Sequence, residues 1–388
     1  MFDRAILHLD LDAFFASVEC LKNSALQNKP LLIGGSSDRG VVSSCSYAAR
    51  KFGVRAAMPM KMALRLCPDA IVLKGDMDEY TRQSQLITDI IKEEAPLFEK
   101  ASIDEFYIDL TGMDRYFGSW QWSMAFKQKL IKESGLPLSI ALSINKLVSK
   151  VGVGVKKPNA EAVIASGTEK DFMAPLSVRC IPSVGKETQK KLSFMGIRTV
   201  HTLAQVPLPL LHREFGKQGQ TLWRSANAID DSPVVPYSEK KSISTERTFQ
   251  LDTIDVRWLK DKLSALVTQL AFELRQSHRL TSCLTIKIRY TDFNTYTKQS
   301  RVSYTAHDKT LIRRAHELFD QLYQRRQLVR LIGVKFSGLV SGHYQVDLFE
   351  DTINEINLMQ AMDKIRNRFG KNAVGQATTL PLIKKKGE

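Results

Sequence analysis

Residues 101–110 read Ala-Ser-Ile-Asp-Glu-Phe-Tyr-Ile-Asp-Leu, a strand-forming run that carries two adjacent carboxylates, Asp104 and Glu105. Phe106, Tyr107, Ile108 and Leu110 favour a pleated, half-buried surface. Acidic side chains set beside such a strand repel one another and lose hydration. A fold that keeps them there needs a cation against them. The run predicts a hairpin, Phe98–Ile103 with Phe106–Leu110, and Asp104 and Glu105 at its turn. The N-terminal stretch Ala5–Asp12 alternates: Leu7, Leu9 and Leu11 point one way, and Ile6, His8 and Asp10 the other. That period predicts a strand with one buried face and with Asp10 and Asp12 on its polar side. If this strand lies beside the hairpin, Asp10, Asp104 and Glu105 converge. Divalent cations are then required, and Mg²⁺ is the usual partner because it shares its remaining positions with substrate phosphates. Two such ions form the clamp of phosphoryl transfer. Taken one at a time, Asp10 and Asp104 read as turn residues and Glu105 as a solvated acid. Two acidic clusters at strand ends favour the metal reading.

The 388 residues leave room for two to four domains. Strands alternate with helices as far as about residue 166, which predicts an α/β sandwich. From Leu176 to Leu222 the pattern becomes short helices with glycine joints, and Asp230–Tyr237 reads as a linker. A second α/β pattern follows, with a helix over Val256–Gln276, a strand over Cys283–Tyr290, a helix over Lys309–Tyr323 and a last strand over Leu328–Leu339. The net charge of +15 is concentrated there: residues 241–340 hold 18 Lys/Arg against 9 Asp/Glu, whereas residues 1–240 hold 31 against 26. A compact cationic segment suits a polyanion, most often nucleic acid. The five cysteines are scattered without zinc-like spacing, so thiols in a reducing cytosol are expected. No apolar run of membrane-spanning length and no leader pattern is read, so no membrane association is expected.

The motifs carry a resemblance. His8-Leu-Asp-Leu-Asp-Ala-Phe-Phe-Ala-Ser-Val-Glu19 resembles the opening motif of the Y-family (translesion) DNA polymerases, and Ser102-Ile-Asp-Glu105 their second metal motif. Ser44-Cys-Ser-Tyr47-Ala-Ala-Arg50, Met58-Pro59, Asn145-Lys146, Lys156-Lys157-Pro-Asn159, Ile181-Pro-Ser-Val-Gly185 and Lys241–Arg247 follow in the family's order, over about residues 1–350. The bacterial DinB-type branch is the most similar. The resemblance implies an α+β, right-hand polymerase. Its parts would be a ferredoxin-like palm (1–19 and 76–165), fingers (20–75), a helix-hairpin-helix thumb (166–231), a linker (232–240) and an α/β little finger (241–343). It implies metal ligation by Asp10, Asp104, Glu105 and the Leu11 carbonyl, with two Mg²⁺. Phe15 would be the steric gate under the sugar of the incoming dNTP, and Tyr47, Arg50 and Lys157 would contact the triphosphate. Without the resemblance, Phe15 reads as core, Tyr47 as packed on a helix and Lys157 as solvated.

Departures from the family pattern are Ser183 in the thumb turn, where glycine is common and serine tolerates positive φ poorly, and Ser46, Ala141 and Ala160. Tyr290, Phe293, Tyr296, Tyr304 and Tyr323 read either as base-stacking groups or as core and strand surface. Gln345-Val-Asp-Leu-Phe349 resembles the peptide by which bacterial polymerases dock on the sliding clamp (the beta subunit), with Gln345, Leu348 and Phe349 as its contacts. Alternatively Leu348 and Phe349 pack on the chain itself, against a helix over Ile356–Phe369. The implied enzyme is a cytoplasmic monomer acting on primer-template DNA in repair. A palm-type nucleotide cyclase is disfavoured because Ser102-Ile103 stands where its signature needs two glycines. A catalytically inactive DNA-binding protein is disfavoured by the intact Asp10, Asp104 and Glu105.

Overall fold

A computed structural model describes residues 2–37, 39–115, 118–237, 239–324, 326–342, 352–370 and 373–374. The stretch Gln345–Phe349 lies outside the described residues. The chain divides into two compact units, Met1–Ser238 and Glu239–Glu388.

The first unit opens with β1 (Ile6–Leu11) and α1 (Phe14–Lys22), then a small subdomain of β2 (Leu31–Gly34), β3 (Val42–Cys45), α2 (Tyr47–Lys51), α3 (Met60–Leu66) and β4 (Ile71–Leu73). The chain returns through α4 (Met77–Glu94), β5 (Phe98–Lys100), β6 (Glu105–Asp109), α5 (Ser119–Ser134), β7 (Leu138–Ser143), α6 (Lys146–Lys156) and β8 (Glu161–Val163). The main sheet runs β5-β6-β1-β7-β8, and β3-β2-β4 form the small one. Leu7, Leu9 and Leu11 pack with Phe14, Ile87, Ile90, Phe126 and Leu130 of α1, α4 and α5.

Two sequence expectations need correcting here. β1 was expected to bury one face, yet all six of its residues are buried. The amphipathic α6 covers the second face, burying Val148 and Val151 beside Ala141 and Ala162. The hairpin's first strand ends at Lys100, and the Ala101 and Ser102 amides both donate to the Glu105 carbonyl at 3.0 and 3.2 Å. Glu105 is therefore the first strand residue and only Asp104 lies in the turn. The short strands β3, β4 and β8 were not anticipated, because three or four residues are too few to show a period.

Five short helices close this unit: α7 (Glu169–Met173), α8 (Lys186–Phe194), α9 (Val200–Ala204), α10 (Leu208–Phe215) and α11 (Lys217–Ala226). Their apolar residues Leu192, Leu203, Leu211 and Leu222, with Val178 and Ile181 from the segment between α7 and α8, share one core with α6.

The second unit has β9 (Ser242–Thr253), α12 (Val256–Gln276), β10 (Arg279–Tyr290), β11 (Thr295–Thr305), α13 (Asp308–Leu322), β12 (Val329–Ser341) and α14 (Thr352–Phe369). Its antiparallel sheet, in the order β11-β10-β12-β9, packs Leu284, Ile286, Ile288, Ile332, Val334 and Phe336 against α12 and α13. Buried Arg275 ties in α14: it reaches Asp308 and Asp363, each at 2.6 Å. The aromatics divide. Tyr290 is core, with Tyr296 and Tyr323 around it, whereas Phe293 and Tyr304 are exposed.

Candidate active site

The antiparallel pairing of β1 with β6 sets Asp10 opposite Glu105, and the Leu11 amide donates to the Asp104 carbonyl at 3.0 Å. Ligating atoms of His8, Asp10 and Glu105 lie within 4.8 Å of one another, a cluster that could hold a metal ion. α6 supplies Lys150 against Glu105, and Lys157, just beyond its end, pairs with Asp10. Burial pushes the Asp10 carboxyl up to about 7; Glu105 and Asp104 push the same way, and Lys157 opposes them. A carboxylate so placed gains from a cation facing it. Asp104 stands outside the tight cluster, its carboxylate accepting the Ser102 hydroxyl at 2.6 Å. It lines, with Asp10, Leu11, Phe15, Arg50 and Lys157, a cleft of about 170 Å³. The sequence reading missed His8 as a cluster member. Its imidazole is fully buried, lacks a hydrogen-bond partner on either nitrogen, and is held well below its ordinary pKa by burial. The available signal was its spacing of two from Asp10 on one side of a strand.

Phe15, on α1, stacks face to face on Tyr80, with ring centroids 4.3 Å apart and planes 11° apart. Tyr80 is itself buried and donates its hydroxyl to Glu19 at 2.7 Å, so the Phe15 ring has a fixed backing. Ser46 caps α2: its hydroxyl accepts the Ala49 amide at 3.3 Å and so fills the capping role usual for asparagine. This cap orients Tyr47 and Arg50. The Arg50 guanidinium lies 4.5 Å above the Tyr47 ring, and the Tyr47 hydroxyl donates to Asp12 at 3.2 Å. Phe15, Arg50 and Lys157 reach the cleft wall; Tyr47 stands behind Arg50.

A second cleft, of about 520 Å³, runs from Asp10 and Glu105 past Lys150 and Lys157 to Arg179 and Ser183. Ser183 adopts φ 75°. The turn therefore keeps the left-handed backbone that glycine usually supplies, at a cost of about 1 kcal/mol. Gly185, at φ −79°, does not need glycine's freedom.

In the second unit, the pleat turns Lys287 and Arg289 of β10 away from the helices, since Ile286, Ile288 and Tyr290 enter the core. Lys287 stands opposite Gly333 and Thr297, Thr285 opposite Lys335 and Gln299, and Cys283 opposite Arg301. Four cations, Lys287, Arg289, Arg301 and Lys335, thus share with hydroxyl and amide side chains the sheet face turned away from α12 and α13, against which Glu246 supplies an anion paired to Lys287. Such a surface suits phosphate oxygens.

The impB/mucB/samB family profile matches residues 9–153, and the profile of its C-terminal domain matches residues 240–348. A profile described as the DNA polymerase-iota thumb domain matches residues 179–230. A protein named DNA polymerase IV from Dehalococcoides mccartyi is 34% identical over 383 residues, covering 98% of each chain. Another of that name, from Shewanella amazonensis, is 37% identical over 343 residues, covering 87% of this chain and 95% of its own. The solved structure of a Y-family DNA polymerase chimera, Dbh-Dpo4(243-245)-Dbh, is similar with a TM-score of 0.77 and 25% identity. It covers 87% of this chain and 99% of its own. The chain belongs to the impB/mucB/samB family, the Y-family DNA polymerases. Among the described residues, no helix is long and apolar enough to cross a membrane.

Proposed function

We propose that this chain is a template-directed DNA polymerase of the translesion class, which adds deoxynucleotides to a primer 3′-hydroxyl. The observation that carries the reading is the pairing of Asp10 with Glu105 across β1 and β6, beside a cleft walled by Phe15, Arg50 and Lys157.

Apart from His8, whose imidazole nitrogen is the poorer partner for Mg²⁺, the donor set is hard oxygen (Asp10, Asp104, Glu105 and the Leu11 carbonyl), which fits Mg²⁺. When bound, two such ions supply Lewis-acid stabilisation of the attacking and leaving oxygens. The chain's own groups do the rest. Asp10 and Glu105 set two carboxylates at the floor, where a cation would hold Asp10 ionised against the push of burial. Arg50 offers a planar fork and Lys157 a point charge to the triphosphate, with Tyr47 behind them. Phe15, backed by Tyr80, closes the space below the sugar, so a 2′-hydroxyl meets carbon and finds no acceptor. Residues 1–19 and 76–165 serve as palm, 20–75 as fingers, 166–231 as thumb and 241–343 as little finger, with the cationic sheet face of the last lying on duplex phosphates. Gln345, Leu348 and Phe349 serve as the clamp-binding peptide of an enzyme that works as a single copy in the cytoplasm.

Primer extension on an undamaged template with Mg²⁺ tests the reading. Template-dependent extension supports a polymerase. Cyclic nucleotide formation without primer points to a cyclase, and DNA binding with neither product to an inactive binder.

A further inference from the structure

Asp12 lies one residue beyond β1 and is 2% exposed. The sequence places it on the polar side of the strand with Asp10, yet its carboxylate takes no part in the His8, Asp10 and Glu105 cluster. It accepts three donors from three separate parts of the chain. The Tyr47 hydroxyl of α2 donates at 3.2 Å and the Ser139 hydroxyl of β7 at 2.9 Å. The Asn159 amide, in the loop after α6, donates at 2.7 Å. Lys157 stands 4.0 Å away. Each donor is held from its other side. Arg50 lies over the Tyr47 ring, Ser139 accepts the Ala160 amide at 2.8 Å, and Lys127 holds the Asn159 side chain at 2.7 Å.

A buried carboxylate persists where donors surround it, and the donors are in turn fixed by it. The pieces fixed here carry Tyr47, Arg50 and Lys157. We propose that Asp12 is a positioning residue for the triphosphate grip, holding α2 and the loop after α6 at one fixed separation before nucleotide arrives. Setting Arg50 and Lys157 in advance, with the Tyr47 ring fixed beneath Arg50, removes an ordering cost from each binding event. Asp12 touches no nucleotide, and its action runs through Tyr47 and the backbone at Asn159. This inference rests on the polymerase reading.

The test is single-nucleotide incorporation by the full chain, with KM for dNTP and kcat measured separately and DNA affinity measured beside them. Asp12→Asn keeps the shape but turns an amide N–H₂ toward a donor and removes the charge. It is expected to raise KM about tenfold, while kcat changes less than about threefold and DNA affinity stays within about twofold. In a Tyr47→Phe background the same substitution should add less than it does alone, because the two share one bond. Ser139→Ala removes a donor without approaching the nucleotide and guards against a failure of Asp12→Asn to fold; KM should rise about threefold. A dNTP KM within twofold of the parent for folded Asp12→Asn, or for Ser139→Ala where Asp12→Asn does not fold, overturns the proposal. So does a fully additive cycle with Tyr47→Phe, or an equal loss of DNA affinity. Failure of the parent to extend a primer would sink the polymerase reading itself, a separate result.

Discussion

Replacing Glu105 by glutamine keeps the size of the side chain and removes its charge. The structure allows three consequences to be separated. On the polymerase proposal, one of the converging carboxylates is lost and the developing charge loses a stabilising element. Single elements of that kind are worth about 10²–10³ in turnover, or roughly 3–4 kcal/mol. For stability, the Lys150–Glu105 pair is lost, but its side chains are 33% and 24% exposed, so the cost is below about 1 kcal/mol. Part of even that is returned, because Glu105 is one of the charges that push the Asp10 carboxyl up. For DNA binding, Lys150 is freed on the wall of the cleft that leads to Ser183. Affinity for primer-template should stay the same or tighten slightly, with the log–log salt slope steeper by at most roughly 0.9. The assay is single-turnover extension at saturating Mg²⁺ and dNTP, with DNA affinity from fluorescence anisotropy across a salt series. Extension within tenfold of the parent would refute the assignment of Glu105, and so would a DNA affinity that falls as far as turnover does.

Phe15→Ala should admit ribonucleotides, lowering the deoxy-to-ribo incorporation ratio more than it lowers deoxynucleotide use; an unchanged ratio would make Phe15 merely part of the core. Lys287→Ala with Lys335→Ala should weaken DNA binding for all sequences alike and flatten the salt slope by roughly 0.9 per residue, and an unaltered slope would mean that this sheet face does not meet phosphates. Leu348→Ala with Phe349→Ala should preserve distributive extension on a short primer while abolishing stimulation by loaded clamp; stimulation equal to the parent's would remove the clamp peptide from the reading.

Much of the fold was legible where the signal is local. The helix Val256–Gln276 falls where the sequence puts it, since the polar cap Asp255 bounds its apolar run. The acidic positions were legible too, because carboxylates beside apolar strand residues are costly without a partner. What escaped was decided by distant residues. Nothing in Ala5–Asp12 says that α6, more than 130 residues on, will cover the polar side of β1 and bury His8. Lys150 reads as one more helical lysine until the fold sets it on Glu105. The division of labour between Asp104 and Glu105 depends on where the hairpin turn begins, which the Ala101 and Ser102 amides settle.

Asp10 and Asp12 show why identity and spacing alone do not assign a role. By strand period both belong on one side, and either could be a metal ligand. Asp10 is still within the sheet, where register sets it against Glu105 and repulsion makes a cation worthwhile. Asp12 has passed the end of β1, and Ala13 takes φ 44°, a left-handed step that ends the strand and starts α1. Its carboxylate meets donors instead of acids: a hydroxyl from β7, a hydroxyl from α2 and an amide after α6. A carboxylate satisfied by three hydrogen bonds has less to gain from a metal than one facing other acids. The same side chain two residues apart thus faces another carboxylate in one place and three donors in the other, and the neighbours on β6, β7 and α2 decide which.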